Sequence, residues 1–167
     1  MVLNDFAARK KKNNEIREYV VNRFILYSKH WNDYSEPNAL QWNRVKFDDA
    51  FANLVPNDQR GVYTFVAEPG IASHPCCSYL LYVGMVETSD FRTRFHSYLR
   101  EPDKRKPREH VLYMIERWKS HLWFYYSPLP SSVPPAEVED RLLTAFLPPV
   151  NRDWPAEIRD VMKLVFS

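Results

Sequence analysis

Two short runs of strand-forming residues constrain this chain most: GVYTFVA over Gly61–Ala67 and SYLLYVG over residues 78–84. Both are dense in aromatic and β-branched side chains, whose shapes suit a pleated surface. The segment between them, residues 68–77, holds Pro69, Gly70 and Pro75 and reads as a loop. The pair therefore predicts an antiparallel hairpin with a long connection. A hairpin alone is marginal in water, so the fold depends on what the rest of the chain packs around it.

That remainder is mostly helical in its spacing. Residues 14–30 place Ile16, Tyr19, Val20, Phe24 and Tyr27 on one helical face, behind the basic run Arg9, Lys10, Lys11 and Lys12. A second short helix fits residues 48–54, beside the apolar Phe47, Phe51, Leu54 and Val55. After the hairpin, residues 90–100 carry Phe91, Phe95, Tyr98 and Leu99 on one face, with Thr88 or Ser89 as the cap. Residues 107–120 carry Val111, Leu112, Ile115 and Trp118. A strand fits residues 122–126, and the proline-rich residues 128–135 lead into a helix over 136–147 with Val138, Leu142, Ala145 and Phe146 aligned. For the last helix Asp153 is the expected N-cap, Pro155 suits an early position, and Ile158, Val161, Met162 and Val165 form the stripe. The central order, β-β-α-α-β-α, predicts an α+β domain on a small three-stranded antiparallel sheet over residues 61–167, with residues 1–60 as a helical extension packed against it.

Ten Phe, ten Tyr and five Trp exclude a disordered chain. A net charge of +2 neither demands nor excludes a nucleic-acid partner, because placement decides. Lys104, Arg105, Lys106 and Arg108 gather in one turn, where they suit a phosphate backbone. Cys76 and Cys77 are adjacent and poorly placed to bridge each other, and with His74 they are too few for a zinc site. Together with the lack of an 18-residue apolar stretch or a signal-peptide core, they predict reduced thiols in a cytoplasmic protein with no membrane partner.

Three elements carry the chemistry. Gly61-Val62-Tyr63 and Tyr82-Val83-Gly84 sit on consecutive expected strands, an arginine-bearing helix follows, and Glu139 opens EDRLLTAFLPPVN, ending at Asn151. This set resembles the GIY-YIG nucleases over roughly residues 61–151, and the last segment is similar to its counterpart in the incision nuclease of nucleotide excision repair. The resemblance implies a metal-dependent endonuclease that hydrolyses DNA phosphodiester bonds with one Mg²⁺ or Mn²⁺. It makes Tyr63 the residue that activates water, Tyr82 an orienting partner, Glu139 the metal ligand and Asn151 a supporting group. It makes Arg94 the cation on the scissile phosphate, with Tyr98 one turn later on the same face. An alternative register takes Arg92 and His96 instead and needs no gap after Tyr82. Phe91 and Phe95 occupy apolar places flanking Arg94, which favours the first register. The chain departs from the family in its longer loop over residues 68–77 and in Met85, which stands where the repair nucleases carry a lysine; Arg92 is the residue that would compensate.

The residue types suit the reaction. Phosphodiester hydrolysis needs a deprotonated nucleophile, neutralisation of the phosphoryl oxygens and help for the leaving oxygen. A tyrosine with an ordinary pKa near ~10 costs about 4 kcal/mol to use as a base at neutral pH, unless a cation or arginine lowers it. A lone carboxylate leaves most of a coordination shell to water and phosphate, which suits Mg²⁺ or Mn²⁺. A two-metal site wants several converging acids, and Glu137, two residues from Glu139 on the same helix, faces elsewhere. Three readings stay open at this point: an active nuclease, a catalytically inactive relative that binds nucleic acid or a protein, and a nuclease subunit of a larger complex. RNA as substrate and a homodimer or partner protein also stay open.

Overall fold

The computed structural model describes residues 23–71 and 77–166. Its elements in order are α1 (Ser28–Asp33), β1 (Asn43–Lys46), a 3₁₀ turn (Asp49–Leu54), β2 (Gly61–Ala67), β3 (Tyr79–Val86), α2 (Phe91–Leu99), α3 (Glu109–Trp118), β4 (Leu122–Pro128), α4 (Pro135–Phe146) and α5 (Ala156–Phe166), with short 3₁₀ turns on either side of α3. The class is α+β. The sheet has four strands rather than the expected three, in the order β1-β4-β2-β3, and every pairing is antiparallel. The extra strand is short and buries only Val45, opposite Phe124, so its sequence shows no readable alternation. The segment before Gly61 is therefore not purely helical. Its strand and 3₁₀ turn send Val45, Phe47, Ala52 and Val55 into the same core as β2.

The helix expected over residues 14–30 lies largely outside the described residues. Within them, the helix starts only at Ser28, and Phe24 and Tyr27 precede it with 41% and 48% exposure. Helical spacing fails there because Phe24 finds its partner across the fold, in the Tyr79 ring at 5.7 Å. Of the expected loop over residues 68–77, the stretch containing His74 and Cys76 lies outside the described residues, and Cys77 is a free thiol. No helix among the described residues is long and apolar enough to cross a membrane.

Strand β2 is buried along its whole length because both faces of the sheet are covered there. Tyr63, Phe65 and Ala67 pack on one side with Phe124, Phe91, Phe95 and Tyr98, and with Val111, Met114 and Ile115 of α3. Val62 packs on the other side with Val83, with Val138, Leu142 and Leu143 of α4, and with Ile158 and Met162 of α5. Each such large apolar side chain contributes roughly 1.5–3 kcal/mol by leaving water. Val161, expected in the α5 stripe, is 58% exposed, so that stripe is narrower than its sequence suggests.

Capping differs from expectation in two places. Asp90, not Thr88 or Ser89, caps α2, accepting from the Thr93 amide at 2.7 Å. The Pro155 carbonyl, not Asp153, begins α5, accepting from Ile158 and Arg159 at 3.1 Å each. At the end of α4 the chain reverses through Leu147 in the left-handed region (φ 46°). That turn brings Val150 and Asn151 along the open edge of β3. The Val150 amide donates to the Leu81 carbonyl at 3.0 Å, and the Asn151 side chain accepts from the Val83 amide at 3.0 Å and donates to its carbonyl at 2.8 Å. Asn151 thus mimics one residue of a further strand and satisfies an edge that would otherwise stay unpaired.

Candidate active site

The site grows from the β2–β3 ladder. Between Phe65 and Val66 the register shifts, and Leu81 is the extra residue of the bulge. Tyr82 therefore pairs with Phe65 and shares a face with Tyr63, the two rings stacked at 6.4 Å and 27°. Both tripeptide glycines have steric reasons. A Cβ on Gly84 would collide with the Tyr63 ring and hydroxyl, so only glycine lets that ring lie across β3. Gly61 holds φ +152°, and a Cβ there would strike the Ser127 carbonyl of β4.

Helix α2 adds Tyr98, which is fully buried, with its hydroxyl 2.9 Å from that of Tyr63 and its ring 6.0 Å from Tyr82. One turn earlier, Arg94 sits close enough to act electrostatically on both Tyr63 and Glu139. Its Nε is buried with no hydrogen-bond partner among the described residues, an unusual state for a guanidinium donor. Arg92 points elsewhere. Its Nε donates to the Val55 carbonyl at 2.7 Å, its Nη2 to that of Asn53 at 3.0 Å, and its amide to that of Pro56 at 3.0 Å. Arg92 therefore ties α2 to the 3₁₀ turn, and the register of Arg94 and Tyr98 is the one that meets the tyrosines. The guanidinium of Arg92 is thus not placed to compensate for Met85, which packs against the second core. His96, Arg92's partner in the other register, is half-buried on α2.

Glu139 reaches the cluster from α4. Burial pushes its carboxyl up to about 7, with Asp140 adding, Arg94 opposing and Asp153 adding. Burial also drives the Tyr63 hydroxyl well above its ordinary pKa; Tyr82 and Glu139 add to this, while Arg94 and the Tyr98 hydrogen bond oppose it. Tyr82 and Tyr98 are raised for the same first reason. Burial thus disfavours the charged form of every acidic group in the cluster, and Arg94 opposes it at Tyr63 and Glu139.

Among the described residues no three His, Cys, Asp or Glu side chains gather as a metal cage. A divalent ion at this site would have Glu139 as its one protein ligand, a donor set that suits a hard ion taking its remaining ligands from water and phosphate. A carboxylate whose charged form is disfavoured by burial and neighbouring acids gains from such an ion.

The Glu101–Arg108 pair has no signature in the sequence. Glu101 is fully buried, and Arg108 donates to it through its amide at 2.8 Å, its Nη2 at 2.8 Å and its Nε at 3.3 Å, with Lys104 adding a bond at 2.6 Å. Burial alone would raise the Glu101 carboxyl, but the bonds from Arg108 and Lys104 outweigh it and hold it at about 2. Of the four basic residues in this turn, Arg105 and Lys106 are exposed, whereas Lys104 and Arg108 are engaged by Glu101. In sequence the stretch looks like a solvated charged turn, and only its closure onto α2 distinguishes it.

No family model matches this chain, and no curated protein or solved structure matches it.

Proposed function

We propose that the protein is a metal-dependent endonuclease of the GIY-YIG type that hydrolyses phosphodiester bonds in DNA. One observation carries the reading: Tyr63 of β2, Tyr82 of β3, Arg94 and Tyr98 of α2, and Glu139 of α4 meet in one electrostatic neighbourhood, although they are scattered along the sequence. In this reading the Arg94 guanidinium grips two oxygens of the scissile phosphate, which gives its buried Nε a partner. Tyr63, aligned by Tyr98, first gives its own proton to solvent, favoured by the facing Arg94 charge, and the resulting phenolate receives the proton of the attacking water. The water oxygen bonds to phosphorus, the bond to the leaving oxygen breaks, and that oxygen takes a proton from solvent. Glu139 would hold one Mg²⁺ or Mn²⁺, which supplies positive charge to the phosphate and the leaving oxygen. Asn151 fixes β3 behind Tyr82 without touching the reacting atoms. Arg105 and Lys106 give the approaching backbone an exposed basic edge.

A second reading draws on the burial of Tyr63, which is only 2% exposed: an inactive relative that binds nucleic acid or a protein partner. Cleavage of single-stranded, double-stranded and branched DNA and of RNA, with Mg²⁺ or Mn²⁺, separates the two when paired with gel shifts in EDTA. Binding with no cleavage of any substrate supports the second reading, and metal-dependent cleavage supports the first.

A further inference from the structure

We propose that Arg108, clamped by the buried Glu101, is a positioning residue of this site that holds Tyr98 so that its hydroxyl meets that of Tyr63. The inference rests on the nuclease reading for its kinetic consequence, although the geometry stands apart from it.

A glutamate with no exposed surface is rare unless it is fully paired. Here both carboxylate oxygens are used: Oε1 accepts from the Arg108 amide and Nε, and Oε2 accepts from Arg108 Nη2 and Lys104 Nζ. The planar guanidinium is thereby fixed in orientation, which a lysine cannot reproduce. It lies with Cζ 4.9 Å from the Tyr98 ring centroid. Phe65, Tyr63 and Tyr82 also pack against that ring, at 4.8, 5.9 and 6.0 Å. Arg108 thus contributes one wall of the Tyr98 site, and the Tyr98 hydroxyl then fixes Tyr63 at 2.9 Å. Because Glu101 follows the end of α2 and Arg108 caps α3, the pair also locks the junction of the two helices beside the tyrosines. An arginine spent in this way is poorly suited to gripping a DNA backbone, the role its neighbours Arg105 and Lys106 retain.

Two measurements on the full chain test the proposal. The first needs no activity. In proton NMR the buried Tyr98 hydroxyl, identified by its loss in Tyr98→Phe, exchanges slowly in the wild type and rapidly in Arg108→Gln. Should Arg108→Gln unfold by leaving Glu101 short of partners, the charge-neutral double variant Glu101→Gln/Arg108→Gln and the cationic Arg108→Lys replace it. Slow exchange retained in a folded variant, or unfolding of all three, overturns the proposal. The second is kinetic. Folded Arg108 variants lose about ten- to hundred-fold in kcat, as a misplaced catalytic group does, and Arg108→Lys does not restore it. KM and the salt slope stay near wild type, whereas Arg105→Ala and Lys106→Ala raise KM and flatten the slope. An unchanged kcat, or a loss confined to KM with a flatter slope, makes Arg108 a backbone grip and overturns the proposal. A wild-type protein that cuts nothing sinks the nuclease reading alone and leaves the exchange experiment to decide this one.

Discussion

Gly84 stands directly opposite Tyr63 in the β2–β3 ladder, and the Tyr63 ring fills the space into which a Cβ of residue 84 would project. The second glycine of the paired tripeptides is thus the floor on which the first tyrosine lies. Gly84→Ala is expected to lift Tyr63 off β3, separate its hydroxyl from that of Tyr98, and cost about 1–3 kcal/mol of stability, as overpacking does. Urea denaturation reads the stability and cleavage reads the site. An alanine variant as stable and as active as the wild type contradicts this placement.

Two arginines two residues apart should fail in opposite ways. Arg92 satisfies the carbonyls of Val55 and Asn53, so Arg92→Ala is expected to lose about 1–3 kcal/mol of stability. The Arg94 Nε has no partner to abandon among the described residues, so Arg94→Ala leaves stability close to wild type while cutting the chemical step by about 10²–10³-fold, as loss of one phosphate-stabilising donor does. Paired urea melts and single-turnover cleavage check both. The reverse pattern would restore the register of Arg92 and His96.

Glu139 gives the metal-free protein a distinctive pH dependence. Its folded pKa, raised to about 7, exceeds the ordinary glutamate value of 4.5. Between those values the folded state holds more protons than the unfolded state, so this group's contribution to stability falls as pH rises from 4.5 to 7. The loss is on the order of 1–3 kcal/mol once partial solvent screening is allowed for. Glu139→Gln is expected to abolish that slope and to raise stability at pH 8, and Mg²⁺ or Mn²⁺ should recover stability in the wild type only. Thermal melts in EDTA across pH 4–8 decide it. A wild-type slope equal to that of the glutamine variant contradicts the buried carboxylate.

Glu101 works in the other direction. Its folded pKa of about 2 lies below 4.5, so its contribution is full above pH 4.5 and is lost as pH falls through 2. Because Lys104 and Arg108 are 40% and 37% exposed, that contribution is discounted to about 1–2 kcal/mol. Acid titration followed by circular dichroism should show Glu101→Gln less stable than wild type at pH 6 and nearer to it at pH 2. Equal stability of the two at pH 6 contradicts the clamp.

The sequence marked what is periodic or sterically demanding. β2 and β3 announced themselves through aromatic and β-branched density, and Gly61 and Gly84 through their place beside tyrosines. Phe91 and Phe95 fixed the buried face of α2, which is why Arg94 rather than Arg92 turns toward Tyr63. Strand β1 was illegible because it buries Val45 alone. The bulge at Leu81 left no trace in composition, although it sets the face of Tyr82. Glu101 was hidden for a different reason. A carboxylate amid Lys104, Arg105, Lys106 and Arg108 resembles a solvated turn, and its burial follows only from the packing of its 3₁₀ turn between α2 and α3.

The proposed nuclease site depends on Glu139 completing a metal-dependent centre with Tyr63 and Arg94. Its most direct test is single-turnover DNA cleavage by the wild type and by Glu139→Gln, with Mg²⁺ or Mn²⁺ and in EDTA. The wild type should cleave only when the ion is present, and the glutamine variant should not cleave at all. Cleavage that survives the substitution, or a wild type inert toward every substrate with both ions, contradicts it.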